Sequence, residues 1–155
     1  MTLTKTLSSL TLLCVTSFTL NAADMKEMTI TESIEARQEI MKKYKSWDKK
    51  LDSQFKAEQA DSAILKEAAK FFQANSSDAF LAFFPEKVTP DGVKTAAKSG
   101  IWRSWEEFSA ITNDVNLQAS EALQFLENGD IKSATSSISE ITNSCRSCHK
   151  KFKAR

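Results

Sequence analysis

The sequence predicts an all-α protein, an antiparallel four-helix bundle, and three observations carry that prediction. Glycine and proline are scarce, three and two in 155 residues, so few positions break a helix or demand a turn. Four separate stretches repeat their apolar residues at steps of three and four, the period of one helix face. No stretch shows the alternation of a half-buried strand, and there is no internal repeat or low-complexity run. Four amphipathic helices without strands bury their apolar faces against one another, and a bundle is the simplest way to do so.

The first segment stands apart from the bundle. Lys5 precedes a largely apolar run from Leu7 to Leu20, and Ala22 and Ala23 then offer small residues for cleavage, which is the pattern of a secretory signal. We assign residues 1–23 to a signal peptide and 24–155 to one domain, with cleavage after Ala22 or Ala23. A transmembrane anchor fits less well, because the run is short, interrupted by Ser and Thr, and followed at once by the polar Asp24-Met25-Lys26-Glu27. Cys14 is then an apolar filler discarded with the signal, and the large Leu13 before it is wrong for a lipoprotein cleavage site. Export points to a bacterial periplasm and to no membrane association after cleavage. Losing Lys5 leaves 20 basic and 20 acidic residues, and that balance excludes a generally basic nucleic-acid binder.

The first mature helix is expected to start at Thr29, whose hydroxyl and the Glu32 carboxylate make a capping box. Its inner face carries Ile30, Ile34, Met41, Tyr44, Leu51 and Phe55, with Arg37 between Ile34 and Met41. A buried arginine there needs an anionic partner; a solvated one is the plainer alternative. The second helix begins near Asp61 and carries Ile64, Leu65, Ala68, Phe71 and Phe72. Asp78 to Phe84 follow, then a break from Pro85 through Gly92, the one substantial loop. A third helix, beginning near Thr95, shows the stripe Ile101, Trp105, Phe108, Thr112, Val115, Ala119, Ala122 and Leu126. Trp102 lies beside it. Gly129 closes that helix as a left-handed residue and Asp130 caps the next. The fourth helix carries Ile131, Ala134, Ile138, Ile141, Cys145, Cys148 and Phe152, which places both cysteines in the buried seam.

Those cysteines belong to Cys145-Arg146-Ser147-Cys148-His149, the Cys-x-x-Cys-His attachment signature of c-type haem. Two thiols three apart share a helix face and reach one haem edge as thioethers, and His149, turned slightly aside, offers a nitrogen to the iron. A redox disulfide would want a strand-helix-strand context, which is missing. A closed zinc site needs four ligands, and after signal removal the chain has two cysteines and one histidine, so carboxylates would have to complete it. One covalent haem c is therefore expected near the C-terminus.

Taken in order, Arg37-Gln38 with Met41, Phe84-Pro85 before a loop, Ile101-Trp102, and the terminal Cys-x-x-Cys-His-Lys-Lys-Phe-Lys resemble the cytochrome c′ family and its low-spin relatives in the same bundle. The resemblance covers essentially the whole mature chain. It implies that His149 is the proximal iron ligand, Cys145 and Cys148 the thioethers, Met41 the residue over the distal face, and Arg37 a cation near the haem propionates, with Gln38 beside it. Lys153 matches a basic position on the proximal side, where a helix C-terminus favours a cation in any case. In ordinary small cytochromes c the motif is near the N-terminus and a methionine ligand follows far downstream; only six residues follow His149 here.

The resemblance implies a binding protein, not an enzyme: five-coordinate iron held by His149, binding nitric oxide, carbon monoxide or other small gases, and transferring single electrons to a redox partner that the sequence does not name. The alternative is a low-spin electron carrier with Met41 also on iron. Met25 and Met28 precede the capping box and are poorer ligands. Peroxidase-like chemistry lacks a second histidine. Family members are commonly homodimers through their first two helices, and Tyr44, Trp47 or Phe83 are candidates for such an exposed surface.

Overall fold

A computed structural model describes residues 28–85 and 94–154. The expected signal peptide, Met25 and the centre of the loop through Gly92 lie outside the described residues. Within them the chain forms α1 (Ile30–Lys56), α2 (Ser62–Ala74), α3 (Asp78–Leu81), α4 (Gly100–Arg103), α5 (Trp105–Glu127) and α6 (Ile131–Phe152). The four long helices make the four-helix bundle, and the described residues contain no strand, only one isolated antiparallel bridge between Ala97 and Lys153.

Helix ends follow the local chemistry. Thr29 Oγ1 accepts from the Glu32 amide at 3.2 Å while the Thr29 amide donates to Glu32 Oε2 at 2.7 Å, satisfying two of the donors a helix start leaves free. Asp61 Oδ1 accepts from the amides of Ala63 and Ile64, and Asp130 Oδ1 from that of Ser133. At the end of α5, Gly129 has a φ of 74°. The Asp130 amide donates to the Phe125 carbonyl and the Gly129 amide to that of Leu126, the two bonds of a Schellman stop.

Two interruptions depart from the expected helices. Ser77, at φ 55°, ends the run of α2 before α3. Its amide donates to the Thr112 carbonyl at 3.3 Å and its hydroxyl to Asn113 Oδ1 at 2.7 Å, so α5 fixes the break. The third helix does not begin near Thr95. Residues 94–98 run extended along the end of α6, where the Lys98 amide donates to the Phe152 carbonyl and the Ala154 amide to that of Ala96. Helix starts only at α4, and Ser104 (φ −124°, ψ 46°) separates α4 from α5. Trp105, expected on the inner stripe, is therefore re-aimed and stands 38% exposed.

Two apolar clusters fill the bundle. One joins Leu51, Leu65, Ala68, Ala69 and Phe72 to Val115, Ala119, Ala122, Ile138 and Ile141. The other joins Ile40, Phe80, Phe84, Ile101, Phe108 and Phe152. Tyr44 and Phe71 pack against both, with ring centroids 5.4 Å apart in an edge contact. Tyr44, Trp47 and Phe83 are half-buried, which corrects the expectation of exposed aromatics: Tyr44 donates its hydroxyl to the Asn75 carbonyl at 2.5 Å and lies among Phe71, Phe72 and Phe80. Trp102 is half-buried too, its indole N–H donating to the Pro85 carbonyl at 3.0 Å.

Leu65 is fully buried while Leu117 is 55% exposed. Truncating Leu65 to Ala should cost about 3 kcal/mol by lost burial and a residual cavity, whereas Leu117→Ala should stay within about 0.5 kcal/mol; urea unfolding of both variants checks the contrast.

Candidate functional site

A cavity of about 760 Å³ lies between α1 and the α5–α6 pair. It falls in the size range of a cofactor site. From α1 it takes Ile34, Arg37, Gln38, Met41, Tyr44 and Asp48; from α6, Cys145, Cys148, His149 and Phe152, with Lys153 just past the helix end. Phe80, Phe108, Ile111 and Val115 close its inner side, and the extended residues 95–97 cover one edge. All seven residues predicted for the site thus meet one cavity, although 104 positions separate Met41 from Cys145 in the chain.

The periodicity of α6 explains how. Ala134, Ile138 and Ile141 are fully buried, the two isoleucines in one cluster with residues of α5, and the same steps carried onward bring Cys145, Cys148 and Phe152 to that side of the helix. The seam opens at the cysteines, however. Both are half-buried free thiols, not the fully buried residues expected, because the cavity and not another helix faces them. Burial pushes both thiols up to about 11; Asp48 adds to this at Cys145. They stand as neutral S–H groups at neutral pH. His149 is pulled below its ordinary value by burial and by Lys153, with Asp48 opposing, so its imidazole keeps a lone pair free to ligate.

Arg37 resolves the choice left by the sequence: it is buried, 8% exposed. Its guanidinium carbon lies 4.5 Å from the centre of the Phe84 ring, a cation–π contact. Among the described residues it makes no ion pair, and burial lowers its pKa. An arginine stays charged even so, so the cavity wall presents a desolvated cation with no carboxylate paired to it among the described residues. Gln38 is exposed and donates from Nε2 to the Lys94 carbonyl at 3.0 Å, tying α1 to the extended segment. Met41 is half-buried against the Phe80–Phe84 cluster. Lys153 is exposed.

Tyr44, Asp48 and the 95–97 segment belong to the site and were not among the residues predicted for it. For the first two the signal was present, since positions 41, 44 and 48 share a helix face. Nothing local marks residues 95–97, which are held by pairing with the end of α6.

The lining fits a large, flat, mostly apolar group with an anionic edge: paired neutral thiols, an adjacent neutral imidazole, aromatic walls and a buried guanidinium that lacks a counter-charge. A zinc cage fits poorly, for among the described residues no three His, Cys, Asp or Glu side chains group as metal ligands would.

Comparison with known proteins agrees. A sequence model of the family described as Cytochrome C′ matches residues 32–153. A curated relative, cytochrome c′ of Rhodospirillum rubrum, is 31% identical over 96 residues, 61% of this chain and 65% of the relative. The chain thus spans just under two thirds of the length of that relative. The solved cytochrome c′ of Thermochromatium tepidum superposes with a TM-score of 0.73 at 20% identity, covering 84% of this chain and 100% of that one. A second solved cytochrome c′, described as having an unusual ligand-controlled dimer dissociation, gives 0.72 at 20% over the same shares. At that identity the two structures speak for the fold.

The raised thiols set a pH dependence for the reduced polypeptide before haem attachment. Below pH 9, the ordinary thiol value, both are protonated folded or unfolded and their contribution is fully present. Between 9 and about 11 the unfolded chain loses these protons first, so stability should fall as pH rises. Urea unfolding at pH 8 and 10.5 should show the drop, and the Cys145→Ser, Cys148→Ser double variant should show a smaller one.

Proposed function

Because the chain belongs to the cytochrome c′ family, we propose that it is an exported, periplasmic haem protein with five-coordinate iron, one that binds nitric oxide, carbon monoxide or similar small gases and exchanges single electrons. The family's cofactor is one covalent haem c. The observation that carries the reading is the convergence, in a single cavity, of Cys145, Cys148 and His149 from α6 with Arg37 and Met41 from α1.

Each residue has a role that its surroundings support. Cys145 and Cys148, three apart on α6 and facing the cavity, would fix the group by two thioethers. His149 would give its imidazole nitrogen to the metal, and Lys153 nearby helps keep that imidazole neutral. Arg37, held over Phe84, would face a propionate and supply the counter-charge that a buried guanidinium and a buried carboxylate each require. Gln38 would hold the edge of the site by pinning residue 94. Bound in this setting, the haem supplies an iron that takes up a diatomic ligand or changes charge by one electron.

Met41 and the aromatic wall decide between two coordination states. Met41 packs against the cluster that holds Ile40, Phe80 and Phe84, a position from which it would shield the distal face without ligating. The low-spin alternative uses the same residue, since Met41 lines the cavity and a thioether is a competent ligand. No catalytic role is proposed: the chain's one histidine is taken as ligand, which leaves no acid-base group of the usual kind opposite it.

Optical spectra of the purified holoprotein separate the two. The expected ferrous spectrum is high-spin and shifts when carbon monoxide is added, and Met41→Ala should leave the ferric spectrum essentially unchanged. A low-spin spectrum indifferent to carbon monoxide, with a large change of spin state in Met41→Ala, would place Met41 on iron.

A further inference from the structure

We propose that the mouth of this cavity is a docking surface for the carboxylate-rich face of a protein partner, held by two stripes of cations that flank the opening. The inference deepens the reading above and rests on it, since a partner gains from docking there if the cavity holds a redox group.

The stripes come from two helices. On α1, Lys42, Lys45 and Lys49 step by three and four and so share a face; on α6 and its cap, Arg146, Lys150 and Lys153 step by four and three. All six are exposed. Lys42, Lys45, Arg146 and Lys153 themselves border the cavity, where Asp48 is the one carboxylate. Lys42 is engaged by Glu39 at 3.2 Å, but the other five form no ion pair among the described residues. From Ile141 to the end the chain carries five Lys and Arg and no Asp or Glu.

The plainer explanation is that cations gather at the end of α6 because a helix C-terminus favours them. That accounts for Lys150 and Lys153. It does not account for Lys42 to Lys49, which lie in the body of α1, seven or more residues before its end at Lys56. The stripes belong to different helices and meet at the opening between them.

Charge balance makes the patch specific. Acidic and basic residues are equal in number once Lys5 is lost, so the molecule as a whole offers an anionic partner little attraction. Unpaired cations concentrated on one opening act locally, within a Debye length of about 10 Å at 0.1 M salt, and they orient an encounter. An anionic membrane would also feel them. Cations alone draw a protein to an anionic surface, but firmer seating adds apolar side chains that insert, and the exposed large apolar residues among the described ones, Met28, Trp105 and Leu117, lie outside both stripes.

The test uses the ¹⁵N-labelled ferrous holoprotein saturated with carbon monoxide, which renders ferrous haem diamagnetic, titrated with poly-L-glutamate and, separately, with phosphatidylglycerol vesicles. Amide shifts under poly-L-glutamate should cluster at residues 42–49 and 146–153 and vanish at 0.5 M salt. Lys45→Glu with Lys150→Glu should weaken binding roughly tenfold, while Lys66→Glu with Lys70→Glu on α2, the same change in net charge, should weaken it less than twofold. Equal weakening in the two double variants, shifts scattered over the surface, or binding to vesicles alone would overturn the proposal. The haem absorbance of the same samples reports separately on the functional reading: a preparation that folds but carries no haem defeats that reading whatever poly-L-glutamate does.

Discussion

The rest of the structure depends on how closely α5 and α6 pack. The core they share joins the small Ala119 and Ala122 of α5 to Ile138 and Ile141 of α6, all fully buried. Alanine lets two helices approach, and close approach fixes their register. Once α6 is locked in this way, its period leaves no freedom to the residues beyond Ile141. Cys145 and Cys148 continue the inner side of a helix already held rigidly, and Phe152 ends it in a second buried cluster, 5.3 Å from Phe108 between ring centroids. The site thus gains precision from the core and not from a loop, as a covalently held group requires.

The helix opposite is held differently. Leu51 anchors α1 in one cluster and Ile40 in the other, while the residues between them that face α6 border the cavity. Tyr44 is the brace: its ring touches the aromatic groups of α2 and α3, and its hydroxyl is bound to the carbonyl that ends α2. Burial raises its pKa, with Cys145 adding a smaller push, so the phenol remains a neutral donor. Such a brace lets α1 present Arg37, Met41 and Asp48 to the opening without closing against α6. Burying Arg37 is costly in isolation, and the Phe84 ring offsets only part of that cost; the arrangement makes physical sense once an anion is supplied from within the cavity.

Much of this was legible in the sequence because it is governed by local chemistry. The caps at Thr29, Asp61 and Asp130 and the left-handed Gly129 each depend on a few adjacent residues, and the spacing of Cys145, Cys148 and His149 is itself a geometric statement. Arg37 on an apolar stripe was legible only as a choice between a buried cation needing a partner and a solvated one, which its burial decides. What escaped was set at a distance. Residues 94–98 could have continued a helix by propensity, but pairing with Phe152 and Ala154 competes successfully for their backbone bonds, a tertiary override of a local preference. The break at Ser104 follows from that anchoring and turns Trp105 outward. Likewise the thiols read as core because their periodicity is that of core residues; a stripe cannot reveal whether it meets another helix or a cavity.

The charged and neutral groups of the site are sorted by depth, and this sorting separates two properties that one pocket must control. The half-buried titratable groups are driven toward neutrality, the thiols up and the tyrosine up, and His149, exposed at the same opening, is pulled down. If small ligands enter as proposed, apolar walls leave the choice among them to shape and packing, through Met41 and Phe80, which line the cavity. At the rim the charged side chains are mostly cations in contact with water, with Asp48 among them, where they add little to stability. Arg37 is the exception that joins the levels, a charge carried inward by α1 onto the Phe84 ring with no carboxylate paired to it among the described residues. Under the functions proposed here, substitutions at the rim would act on encounter and substitutions in the interior on ligand choice, the two sets being independent insofar as Arg37 is left in place.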